Sequence, residues 1–215
     1  DIYPFIKDMP EVPEVIEIIK TPSDERNFGG SWHSDTAYLP RPARGTMLYA
    51  VEVPPSGGDT LFANTNKAYE SLSDGMRDLL DNMVGVNNSD LGYGGSRAKV
   101  LTKLDSMGEQ YDAESATYES EHPIVRTHPE SGKKGLYVSR SHTSHFKGMT
   151  RQESLPFIAF LCDQITHPEH TCRFRWQPGS VAVWDNRITQ HYALNDYPGQ
   201  KRHMRRVTLK GDTPM

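Results

Sequence analysis

Apolar residues in this chain fall mainly into short β-type runs: Val15–Lys20, Thr46–Val53, Lys134–Val138, Cys172–Trp176, Ser180–Trp184 and His203–Leu209. Turn formers such as Pro54-Pro55-Ser56-Gly57-Gly58 and Gln177-Pro178-Gly179 separate several of them. Two helical stretches break the series. Asn66–Met83 carries Tyr69, Leu72, Met76, Leu79, Leu80 and Met83 at spacings of three and four. Thr150-Arg151-Gln152-Glu153 reads as a capping box opening a helix through Ile165, with Pro156 expected to kink or restart it. Residues 85–120 are polar, dotted with glycine and aperiodic, and are expected to form a long connection that serves as an active-site lid or flexible insertion. Many short strands with few helices predict a mainly β fold with flanking helices, a jelly-roll (double-stranded β-helix) sandwich.

At 215 residues, with no repeat, low-complexity tract or linker, the chain fits a single domain over 1–215. A formal charge of −4 gives no reason to expect nucleic acid as a partner. No apolar run approaches the roughly 18 residues of a membrane span, and no secretory segment opens the chain. Two cysteines, Cys162 and Cys172, argue against a disulfide scaffold and suggest a reducing, cytoplasmic setting. The opening Asp1-Ile2-Tyr3-Pro4 lacks an initiator methionine, and a preceding N-terminal segment is expected.

The chemistry is concentrated in Trp32-His33-Ser34-Asp35 and in the block from Trp184 to Arg206. On an extended strand His33 and Asp35 point to one side and can address one ion. With a distant His191 they match the two-histidine, one-carboxylate facial triad that holds ferrous iron and leaves three positions open. A His-x-Asp pair by itself is more often a surface histidine beside a turn-capping aspartate. The loop Asn27-Phe28-Gly29-Gly30-Ser31 before it could place the pair at a sheet mouth. Arg202 and Arg206 lie 11 and 15 positions beyond His191. On a strand they share a face with Met204 and Thr208 and would aim two guanidinium groups into one cavity. Guanidinium suits bidentate binding of carboxylate or sulfonate. A solvated basic strand is the competing reading, since Lys201, His203 and Arg205 are also here.

Taken together, Trp32–Asp35, Gly57-Gly58-Asp59-Thr60, His128-Pro129, Trp184-Asp185-Asn186-Arg187 and the run from His191 through Arg206 resemble the taurine dioxygenase (TauD/TfdA) family over nearly the whole chain. The resemblance implies an enzyme dependent on Fe(II), 2-oxoglutarate and O2. It would hydroxylate a small anionic molecule while 2-oxoglutarate is converted to succinate and CO2. It implies that His33, Asp35 and His191 ligate Fe(II), that Thr60 and Arg202 bind the distal carboxylate of 2-oxoglutarate, and that Arg206 meets the substrate's anionic group. Asp35 favours hydroxylation, because related halogenases carry a small residue there. The taurine enzyme's substrate histidine, tyrosine and asparagine fall on Tyr3, Ile6 and Gly29, and a pocket aromatic on His142. Another sulfonate, a sulfate ester or a carboxylate is therefore expected rather than taurine. The resemblance also allows a homo-oligomer.

Other residues carry smaller expectations. His142-x-x-His145 could line the pocket or be hydrogen-bonded loop histidines. His167-x-x-His170-x-Cys172 has a superficially zinc-like spacing. Trp184 and Cys162 are expected in the core, and Asp185 and Asn186 as turn residues or as groups orienting His191. The alternative from another class is a cupin-like metal-binding protein or metal-dependent hydrolase using the same His/Asp/His site. Such a protein has no need of a carboxylate clamp at Thr60 and Arg202.

Overall fold

A computed structural model describes residues 9, 11–93 and 117–215. The major sheet contains β1 (Val15–Lys20), β12 (Arg202–Leu209), β2 (Gly45–Glu52) and β10 (Val181–Asp185), in that spatial order. The minor sheet contains β11 (Thr189–Ala193), β3 (Thr60–Asn64) and β9 (Thr171–Phe174). All neighbours in both sheets are antiparallel. The chain passes from major to minor sheet twice, between β2 and β3 and between β10 and β11, which makes the body a jelly roll. Leu48, Ala50, Trp176, Trp184 and Met204 form the core of this region, with Ile18, Phe62 and Phe174 packed against it.

A second layer is built from β4 (Val84–Asn88), β5 (Glu119–Pro123) and β8 (Thr143–Phe146), a small β6/β7 pair (Val125–Thr127, Lys134–Leu136) and three helices. Leu80, Ile124, Leu136, Phe146, Leu161 and Ile165 are fully buried there. The helices are α1 (Thr65–Glu70), α2 (Asp74–Leu80) and α3 (Arg151–Ile165).

The expected helix over Asn66–Met83 is two helices. Asn64 caps the first by accepting from the amides of Asn66 and Lys67, and Ser73 caps the second through Met76. Between them Ser71 donates its hydroxyl to the Ala68 carbonyl, and buried Leu72 anchors the break. Apolar spacing is blind to such a break because both halves keep the same inward stripe. The capping box forms as expected, but α3 runs unbroken through Pro156. The stretch 85–120 is not wholly a connection, since β4 and β5 occupy its ends and pair from Val84↔Pro123 to Asn88↔Glu119. Glu119-Ser120-Glu121 is polar because β5 is an edge strand, held mostly by its backbone. The expected lid otherwise falls on residues 94–116, outside the described residues. Among the described residues no helix is long and apolar enough to cross a membrane.

Candidate metal and keto-acid site

The loop that carries His33 is stitched along β11 by backbone and amide bonds. Asn27 Nδ2 donates to the carbonyls of Ala193 (2.9 Å) and Leu194 (3.1 Å), and the Gly29 carbonyl accepts from Ala193 N (3.1 Å). His33 and His191 then form an isolated antiparallel bridge, each amide donating to the other's carbonyl at 3.1 and 2.9 Å. The two rings lie side by side, centroids 4.2 Å apart. Asp35, two positions on, brings Oδ1 to 3.6 Å from His33 Nε2 and 3.9 Å from His191 Nε2. These three ligand atoms lie within 4.8 Å of one another and form the only such cluster among the described residues. Gaps this wide are no hydrogen bonds, yet two donors on bonds of about 2.1 Å can span them through one ion. The donor set of two imidazoles and a carboxylate fits a divalent transition metal.

Each ligand is oriented differently. His33 Nδ1 donates to the Ser31 carbonyl at 2.7 Å, which leaves the Nε2 lone pair facing Asp35. His191 has no such support, since its Nδ1 is buried without a partner among the described residues. Its ring is held by packing, 4.7 Å from Trp184 and 6.2 Å from Phe62. Asp35 is the most constrained. Its Oδ2 accepts from Thr46 Oγ1 at 2.7 Å, and Thr46 Oγ1 accepts from Asn186 Nδ2 at 2.9 Å. Asn186 Oδ1 accepts from Trp184 Nε1 at 2.9 Å and from the Asp35 amide at 3.4 Å. Asn186 therefore orients Asp35 rather than His191, and Thr46 is a member of the site that the sequence reading did not include.

Electrostatics keep Asp35 and His191 in forms able to bind a metal. Burial pushes the Asp35 carboxyl up, but the Arg206 guanidinium and the neighbouring imidazoles outweigh it and hold it well below the usual range. Burial drives His191 down to about 3, and charge on His33 adds to this, so its imidazole is neutral at ordinary pH. Replacing Asn186 with alanine should weaken divalent-metal affinity by roughly 10- to 100-fold while the fold survives. A metal titration followed by calorimetry checks this, and an unchanged constant would remove Asn186 from the support of Asp35.

A second cluster surrounds Thr60 and Arg202. Gly57 and Gly58 adopt φ of 81° and 70°, which side-chain-bearing residues rarely adopt. A Cβ on Gly58 would also press against Arg202, Tyr197 and Pro54 at 3.2–3.3 Å. The Arg202 Nε donates to the Gly58 carbonyl at 3.1 Å, and its guanidinium lies 5.8 Å from the Trp176 ring centroid. Its Nη2 is buried with no partner among the described residues. A buried guanidinium nitrogen left open is costly unless an anion completes it. The residues therefore fit a ligand carboxylate. Thr60 is buried beside them and accepts from Trp176 Nε1 at 2.9 Å.

The alternation on β12 buries Arg202, Met204, Arg206 and Thr208 as expected. The two arginines meet different partners. Arg202 turns to the glycine turn, whereas Arg206 Nη2 sits 3.1 Å from Asp35 Oδ1, roughly 13 Å along the strand.

Residues 4–208 match the family model for taurine catabolism dioxygenase TauD, TfdA family. The chain belongs to the TauD/TfdA family. It is similar to an alpha-ketoglutarate-dependent sulfate ester dioxygenase of Pseudomonas putida, 39% identical over 86% of this chain and 61% of that protein. Its structure resembles that of a taurine dioxygenase from Burkholderia xenovorans, with TM-score 0.76 and 34% identity, covering 96% of this chain and 68% of that one. It also resembles AAD-2 crystallised with Mn(II) and N-oxalylglycine, with TM-score 0.73 and 30% identity, covering 86% and 70%. The chain spans 44% to 62% of the length of the curated relatives it matches.

In this TauD/TfdA chain His142 stands at the triad, its ring edge-on to His33 (5.9 Å) and to Tyr38 (5.1 Å). Ser141 Oγ, 3.0 Å from the Trp32 carbonyl, ties the two segments together. His145 lies on β8, within 2.8 Å of Ser144 Oγ through Nδ1. At Gly29, whose φ is 79°, a Cβ would make only ordinary contact with the His33 ring, at 3.5 Å. Tyr3 and Ile6 lie outside the described residues. His167 caps a short turn and His170 Nδ1 donates to the Gln164 carbonyl, so the zinc-like spacing is used for local bonds. Asp185, paired with Arg187 (2.6 Å) and His128 (3.0 Å), clamps the β10–β11 connection. Cys162 is buried and Cys172 exposed, both as free thiols.

Proposed function

We propose that this protein is an Fe(II)- and 2-oxoglutarate-dependent dioxygenase that hydroxylates a small anionic organic molecule, with sulfate esters the first class to test. The observation that carries the reading is the pairing of a His33/Asp35/His191 cluster with the open, buried Nη2 of Arg202. A cupin-like hydrolase would share the first and has no use for the second. When bound, Fe(II) and 2-oxoglutarate supply oxidative chemistry with O2, yielding succinate, CO2 and a hydroxylated product.

The chain's own residues provide placement. His33 and His191 offer neutral imidazoles, and Asp35 offers a carboxylate whose second oxygen is already committed to Thr46. Three protein ligands leave positions free for exogenous groups. Arg202 and Thr60 hold the distal carboxylate of 2-oxoglutarate and so fix its reach towards the triad. Arg206, whose Nη2 lies 3.1 Å from Asp35 Oδ1, would offer its guanidinium beside the triad to an anionic head group. His142 and Tyr38 wall the space beside His33. Hydroxylation at the carbon bearing a sulfate ester gives an unstable product that separates into aldehyde and sulfate.

The test is succinate formation from 2-oxoglutarate with Fe(II) and ascorbate in the presence of alkyl sulfates, alkyl sulfonates or aryloxyacetates. Stimulation by one class above the substrate-free rate is expected. No succinate with any of them, and no 2-oxoglutarate binding, would end this reading.

A further inference from the structure

We infer that Trp176 is a positioning residue that sets the direction of the Thr60 hydroxyl and the plane of the Arg202 guanidinium for a dicarboxylic keto acid. The inference rests on the proposal that Thr60 and Arg202 hold the distal carboxylate. An indole N–H can only donate, whereas a threonine hydroxyl has one hydrogen and two acceptor sites. Trp176 Nε1 donates to Thr60 Oγ1 at 2.9 Å, and Thr60 makes no other side-chain hydrogen bond among the described residues. One acceptor site of Thr60 is therefore filled and its single hydrogen is left to point elsewhere. A partner able to donate or accept, such as serine or a water, would leave that direction undetermined.

The same indole ring lies 5.8 Å from the Arg202 guanidinium, whose Nε is fixed on Gly58 and whose Nη2 is open. Trp176 is itself held edge-on by Phe174 at 4.7 Å and is 7% exposed. One rigid, buried side chain thus prepares both halves of a carboxylate clamp, a donor hydroxyl and a cation, before the ligand arrives. Preorganisation of this kind lowers the ordering cost of binding. The contact made by Trp176 concerns only the distal carboxylate, so its effect is on which keto acids are accepted rather than on metal binding.

The experiment is anaerobic calorimetry of 2-oxoglutarate and of oxalate binding to the Mn(II)-loaded protein. Oxalate reproduces the chelating end and has no distal carboxylate. Trp176→Phe keeps a ring beside Arg202 and removes only the donor. It should weaken 2-oxoglutarate about tenfold and leave oxalate within twofold of wild type. In the Thr60→Val background Trp176→Phe should add nothing, because the hydroxyl it directs is gone. Equal weakening of oxalate, an additive double variant, or a silent Trp176→Phe beside a strongly impaired Arg202→Ala would overturn the role of Trp176 alone. If Arg202→Ala is also silent and wild type binds both ligands equally, the clamp itself is refuted.

Discussion

Alanine at Asp35 should leave a protein that no longer binds a divalent metal and is markedly less stable. The two effects have separate causes. Removing the carboxylate takes away one of the three proposed metal ligands and the group towards which both imidazoles are turned. It also removes the carboxylate 3.1 Å from the guanidinium of Arg206, which is 3% exposed. Breaking a buried ion pair by deleting one partner costs about 3–5 kcal/mol, a large share of ordinary domain stability. Asparagine at the same position is neutral but keeps an acceptor for Thr46, and it should lose metal with a smaller loss of stability. Metal content after gel filtration and urea unfolding of the metal-free variants measure the two effects independently. Full metal occupancy in Asp35→Ala would exclude Asp35 as a ligand.

Arg202→Ala should raise the dissociation constant for 2-oxoglutarate by tens-fold to thousands-fold, the equivalent of about 2–5 kcal/mol, because a ligand carboxylate then enters a buried site with no counter-charge. Metal affinity should hold, since Arg202 contacts Gly58 and Trp176 and none of the triad. Lysine is not expected to rescue it. An ammonium lacks the fork that lets one nitrogen bond Gly58 while another stays free for the ligand. The Mn(II)-loaded protein titrated with 2-oxoglutarate reads this directly, and an unaltered constant would locate the clamp elsewhere.

The sequence was most legible where the physics is local. Burial alternation on β12 follows from a period of two, and Thr150 with Glu153 caps α3 through contacts three residues apart. The split between α1 and α2 was not legible, because Ser71 and Ser73 act through hydrogen bonds that an apolar stripe does not encode. His33, Asp35 and His191 could be named from spacing and resemblance, but the support of Asp35 could not. Thr46 is an unremarkable β-branched residue within a strand, and only the register that sets it opposite Trp184 brings it to Asn186 and Asp35. Trp176 likewise reads as one more core aromatic, and its role depends on where two sheets meet. Arg206 was legible as a buried cation, while its pairing with Asp35 required the third dimension.

The bridge between His33 and His191 joins positions 158 apart in the chain, through two reciprocal amide bonds. Bringing such distant segments together carries a large loop-closure entropy and belongs among the slow, non-local events of folding. The three donor groups are consequently not assembled until β11, which carries His191, has been made and has met the His33 loop.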